Sequence, residues 1–112
     1  MSRILLGDKL VTKYQEGHKK FLLLKKKGVS DYDMPVLAKY FNPYEPGTWY
    51  VLDAIKDSND WKFFCYVEMG NRQSFEYVLL SDLRMYSDIE RDMSLATRTL
   101  HEALENDNYM RG

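Results

Sequence analysis

The sequence predicts an α+β fold: an N-terminal helix, a four-stranded antiparallel sheet (meander) and a C-terminal amphipathic helix packed on that sheet. Three observations lead there. Apolar residues recur at three- and four-residue spacing between Asp8 and Lys27. Four short runs rich in aromatic and branched residues follow, each bounded by turn signals. Helical spacing then returns after Ser81. A chain of 112 residues, 45% apolar and 29% charged, fills one small core, so residues 1–112 read as a single domain.

The first helix lines up Leu10, Val11, Tyr14, His18, Phe21, Leu22 and Leu24. Asp8 can cap its start, Lys25, Lys26 and Lys27 suit the negative end of its dipole, and Gly28 fits the left-handed position that closes it. Gly17 costs about 1 kcal/mol relative to alanine inside a helix. A break there, with a strand at Phe21–Leu24, is therefore a second reading.

The strands are expected at Val36–Phe41, Thr48–Asp53, Trp61–Glu68 and Phe75–Leu80, with turns at residues 42–47, 57–60 and 70–73. Alternation puts Trp61, Phe63, Cys65 and Val67 on one face and Lys62, Phe64, Tyr66 and Glu68 on the other. In the last strand Phe75, Tyr77 and Leu79 oppose Glu76, Val78 and Leu80. Neither face is wholly polar, so both need cover. Ile89, Met93, Ala96, Leu100 and Leu104 then form a helical seam, with Ser87 and Glu90 as a capping box and Asn106–Asp107–Asn108 as its stop.

The net charge is −1, which argues against a protein that coats polyanions indiscriminately. That total hides an asymmetry. Residues 1–29 hold eight basic residues against only Asp8 and Glu16, so the remainder of the chain is acidic. The single cysteine, Cys65, leaves no intramolecular disulfide framework and suits a reducing compartment. The longest apolar run, Phe21–Leu24, falls far short of the roughly 20 residues that span a bilayer. A cytoplasmic location with no membrane association is the expectation.

Three segments carry a resemblance: Lys39-Tyr40-Phe41-Asn42-Pro43 leading into Gly47-Thr48-Trp49-Tyr50, then Phe64-Cys65-Tyr66-Val67-Glu68-Met69-Gly70, then Glu76-Tyr77-Val78-Leu79-Leu80-Ser81-Asp82-Leu83. With Ile89-Glu90-Arg91-Asp92 after them, residues 35–93 resemble the bacterial family catalogued as domain of unknown function 2958. The resemblance implies a habitat rather than a reaction, because such proteins are often carried by plasmids, conjugative elements and phages. It places the chain in a bacterial host cell. The basic N-terminal segment matches poorly, and Met93–Leu104 reads helical where the family pattern continues extended.

No constellation of catalytic residues stands out. Cys65 lacks a histidine partner in a supporting motif and reads as a buried structural residue. His18 and His101, with Glu102 or Asp107, lack metal-ligand spacing, and the carboxylates at Asp57/Asp60, Asp88/Glu90/Asp92 and Glu102/Glu105 read as solvated faces. No metal or cofactor is expected. Two binding surfaces are. For a protein partner, Trp49, Tyr50, Phe64 and Tyr66 supply an aromatic patch, and Glu68, Glu90, Arg91 and Asp92 supply charge. For nucleic acid, Lys19, Lys20, Lys25, Lys26 and Lys27 can follow a phosphate backbone while Phe21 or Tyr32 stacks a base.

The expected function is a non-enzymatic accessory protein of a phage or mobile genetic element that binds a macromolecule and inhibits a host defence or nucleic-acid-processing complex. The alternative is a nucleic-acid-binding helper in replication or transfer that uses the basic helix. A small-molecule enzyme is third. A second sheet face also leaves room for a homodimer.

Overall fold

The computed structural model describes residues 6–93 and 98–111, with 108–111 in their backbone only. It is α+β. Helix α1 (Asp8–Lys26) is followed by a 3-10 turn at Asp31–Asp33 and by strands β1 (Ala38–Phe41), β2 (Thr48–Asp57), β3 (Asp60–Met69) and β4 (Arg72–Leu79). A short helix α2 (Leu80–Arg84), a two-residue strand β5 (Glu90–Arg91) and helix α3 (Leu100–Arg111) complete the chain. The sheet is antiparallel in the order β4-β3-β2-β1-β5.

Helix α1 runs unbroken through Gly17. An alanine Cβ at Gly17 would lie 2.5 Å from Leu37 Cδ2 and 2.7 Å from Cδ1, so the missing side chain lets the helix lie against the residue that leads into β1. The helix ends as the lysines and Gly28 suggest. Gly28 has φ +81°, its N–H bonds Lys25 C=O, and Val29 N–H reaches back to Leu24 C=O, a Schellman closure. The start differs from expectation: Gly7 is the cap residue and Asp8 lies in the first turn.

Two-residue loops, Ser58-Asn59 and Gly70-Asn71, join β2 to β3 and β3 to β4 and fix their registers. A bulge between Val51 and Asp53 inserts Leu52. Strand β2 is therefore buried on both sides from Trp49 to Ala54, and it runs on to Asp57. Strand β1 pairs only with residues 48–51 of β2. Beyond that, α1 takes over the edge: Tyr14 meets Trp61 and Phe63 on one face, while Phe21 meets Phe64 on the other.

Both sheet faces are covered. The first core holds Leu10, Tyr14, Tyr40, Val51, Phe63, Cys65, Leu80, Leu83 and Ile89. The second holds Met34, Val36, Tyr50, Leu52, Tyr66, Leu100 and Ala103, with Phe21, Leu24 and Phe75 against it. No helix among the described residues is long and apolar enough to cross a membrane.

The helix expected from Ile89 onward is not formed there. Ile89 is buried in the first core, Glu90 and Arg91 pair with Phe41 and Tyr40, and Met93 is exposed. The reason is the outer edge of β1, whose backbone groups need partners. Residues 90–92 supply them, including Asp92 N–H to Lys39 C=O at 2.8 Å. Ala96 lies outside the described residues. Helix α3 begins at Leu100, and the capping box is Thr99 with Glu102 rather than Ser87 with Glu90. It also continues through Asn106–Asp107–Asn108, the expected stop. Leu80, expected in the last strand, opens α2 instead.

Candidate functional site

Period-two alternation in β3 and β4 creates the main surface. Their register places Phe64 opposite Tyr77 and Tyr66 opposite Phe75, all on the face of the second core. The rings form a connected row. Tyr77 lies 5.1 Å from Phe64, Phe64 stacks on Phe75 at 5.7 Å, and Phe75 meets Tyr32 edge-on at 5.2 Å. Tyr77 is 62% exposed and Tyr32 44%, while Phe64 and Phe75 between them are half-buried. Tyr66 sits beneath Tyr32 and Phe75, and burial raises its phenol pKa above the ordinary value.

Cations border this row. Lys62 Nζ stands 5.0 Å from the Tyr77 ring centre. On the other side Phe21 of α1 touches Phe64, and Lys25 Nζ lies 6.0 Å from the Phe21 ring. Lys25 also bonds Asp31 at 2.6 Å, which draws part of its charge inward. Lys19, Lys20, Lys26 and Lys27 are exposed and have no carboxylate within ion-pair distance among the described residues. Leu22 and Leu23 are exposed among them.

The structure thus joins part of each expected surface. Phe64 and Tyr66 belong to the same face as Phe21 and Tyr32, beside the lysine-rich end of α1. Trp49 and Tyr50 do not contribute exposed area: both are buried, and consecutive strand positions send them to opposite cores. The site residues that sequence reasoning missed are Phe75, Tyr77 and Lys62. The signal was the Gly70-Asn71 hairpin, which fixes the register that puts Tyr77 beside Phe64.

The charged candidates lie elsewhere. Glu68 lines a cleft of about 360 Å³ with Lys39, Phe41, Asn42, Glu45 and Thr48 at the far end of the same face. Glu90 is held in β5 opposite Phe41, and Asp92 stands 4.0 Å from Lys39. Lys39 also bonds Asp107 at 2.9 Å and Tyr50 donates to the same carboxylate, fastening α3 to the sheet. Arg91 falls on the opposite face beside Tyr40, in a groove with Leu10, Lys13 and Met93. Burial, and next the Arg91 charge, lower the Lys13 pKa.

Among the described residues the titratable groups do not assemble a nucleophile and base. Cys65 is fully buried, and burial pushes its thiol far up, away from the reactive thiolate. His18 Nδ1 lies 2.9 Å from Asp53, whose carboxylate is buried at the β2 bulge and also accepts Ala54 N–H. His101 pairs instead with Glu105 on the exposed side of α3. Asp57 and Asp60 flank the β2–β3 loop, and Asp60 accepts Ser81 Oγ–H, Ser81 N–H and Trp61 N–H.

Comparison with protein-family models, with curated proteins and with solved structures returns no match for this chain.

Proposed function

We propose that the protein is a non-enzymatic binding module whose ligand is a single strand of nucleic acid, held by the aromatic row and the lysine-rich half of α1. The observation that supports this reading is the conjunction of the Tyr77, Phe64, Phe75 and Tyr32 rings with Lys62 on one side and, on the other, helix α1, which brings Phe21 and Lys25 to the row and exposes Lys19, Lys20, Lys26 and Lys27 around its end. Every base has a π-face, so such rings accept bases without regard to sequence, at about 1–3 kcal/mol per stacked base. The lysines neutralise phosphates. None of the described side chains named for this surface is arginine, the main reader of guanine edges, so the module grips the strand without reading it. The habitat implied by the resemblance fits a helper in replication or transfer of a phage or mobile element.

Fluorescence anisotropy with a labelled oligothymidine tests this. Affinity is expected to fall steeply with salt, to weaken by about 1–3 kcal/mol in Tyr77→Ala, and to vanish at moderate salt when Lys19, Lys20, Lys26 and Lys27 become Glu. No binding at low salt, or binding indifferent to both changes, ends the reading.

A second reading, an accessory protein that docks on a host protein complex, draws on the cleft between Glu45 and Glu68 beside Phe41, which suits a cationic side chain. It expects charge reversal at Glu68, Glu90 and Asp92 to weaken partner binding in calorimetry. Capture from bacterial lysate with and without nuclease separates the two, since only a protein partner survives digestion.

A further inference from the structure

Strand β4 is an outer strand of the sheet, and its eight residues, Arg72–Leu79, are all exposed or half-buried. An open edge of this length is normally blunted by proline, a bulge or an unfavourable charge pattern. Strand β4 has no proline, and its register with β3 is regular throughout. Its charges are arranged about a centre. Arg72, Ser74 and Glu76 share one face, with Arg72 and Glu76 two residues on either side of Ser74.

We infer that this edge pairs with the same edge of a second copy, antiparallel and centred on Ser74. In that register Arg72 faces the partner's Glu76, and Glu76 faces the partner's Arg72, so one two-fold axis makes both opposite-charge pairs. Centring on Arg72 or on Glu76 would set like charges against each other, and centring on Phe75 pairs neither. The Ser74 register alone uses both charges. An open groove of about 340 Å³, lined by Val67, Met69, Arg72, Gln73, Ser74 and Glu76, runs beside the strand on that face and receives the partner's side chains.

The axis stands perpendicular to the sheet, so facing residues point to the same side. The two five-stranded sheets become one continuous sheet, and the aromatic rows of both copies share a face. Phe75 then opposes the partner's Gln73. A strand running along one row can therefore continue onto the other. The dimer itself rests only on the edge, not on any nucleic acid.

Sedimentation velocity across the micromolar range tests the pairing, with circular dichroism to verify folding. The wild-type chain is expected to shift from monomer to dimer with concentration. Glu76→Arg and Arg72→Glu are each expected to weaken the dimer about tenfold or more, because each sets two like-charge pairs across the axis. The double swap Arg72→Glu/Glu76→Arg restores the opposite pairs and the dimer. Hydrogen exchange adds a readout on the unaltered protein, in which β4 amides gain protection as concentration rises. A wild-type monomer throughout, single reversals without effect, a double swap that stays monomeric, or β4 exchange independent of concentration would each overturn the inference.

Discussion

Gly17 lies in the middle of a long helix, where alanine would ordinarily be worth about 1 kcal/mol more. Leu37 reverses that preference, since an added Cβ would press within 2.7 Å of both its terminal methyls and Leu37 is itself buried. Overpacking of this kind costs about 1–3 kcal/mol, so Gly17→Ala is expected to lower stability by about 1 kcal/mol in urea denaturation. In a Leu37→Ala background the same change is expected to stabilise, and a loss there would refute the contact as the cause. Cys65 gives a second expectation at this scale. Its thiol is buried and held protonated, so an aromatic disulfide reagent should label it only at the rate of unfolding. Rapid labelling in native buffer would contradict that. The candidate site was half legible at the level of residues. Charge clustering exposed the lysines, and alternation put Phe64 and Tyr66 on one face. Composition could not show that Trp49 and Tyr50 would be consumed by the two cores, because burial depends on which helices cover each face. Nor could it show that Asp53 would be buried beside His18, since the bulge that turns it inward leaves no mark in the local pattern.

At the level of elements, the first helix and the four strands were legible because periodicity and turn chemistry agreed. The segment after Ser81 was not. Its apolar spacing fits a helix, yet the edge of β1 captures residues 90–92, and a tertiary demand of that kind has no local signature. Helix α2 shows how a strand end and a helix start are joined. The Asp60 carboxylate takes the hydroxyl and N–H of Ser81, and Asp82 takes Leu79 N–H. The Ser81 hydroxyl bond is the main reason the Asp60 carboxyl titrates below its ordinary value. Because the folded state favours the carboxylate, this contribution is full above the usual aspartate pKa of about 3.9 and is lost as pH falls through the lowered folded value. Asp60→Asn should therefore cost about 1 kcal/mol or less at pH 7. In thermal melts the gap to wild type should close in strong acid, and a gap that persists there would show that the charge is not what holds α2.

For the molecule as a whole, the central feature is that one helix serves two cores. Leu10 and Tyr14 enter the first, Phe21 and Leu24 the second, so neither core is complete without α1. The attachment of α1 is tightest where the Tyr14 and Tyr40 hydroxyls meet at 2.6 Å, with Tyr40 stacked on Phe63 and Tyr14 tilted against Trp61 and Phe63. Burial raises the Tyr40 pKa to about 12 and, foremost among its causes, pushes Tyr14 well above the ordinary value. Both protons are thus held more tightly in the folded chain than in the unfolded one. Their contribution to stability is complete below the unfolded tyrosine value of about 10 and is lost as pH rises through the folded values. Because α1 links the cores, its release should unfold both together. A late rise in tyrosinate absorbance is expected to coincide with the loss of far-ultraviolet ellipticity. Tyr14→Phe removes one of the two protons and the hydrogen bond between them. It should be less stable by about 1 kcal/mol at neutral pH, yet lose stability more gently in alkali, which chemical denaturation at a series of pH values would measure. If every tyrosine ionised while the ellipticity stayed intact, the pair would not be the clasp that makes two cores into one folding unit.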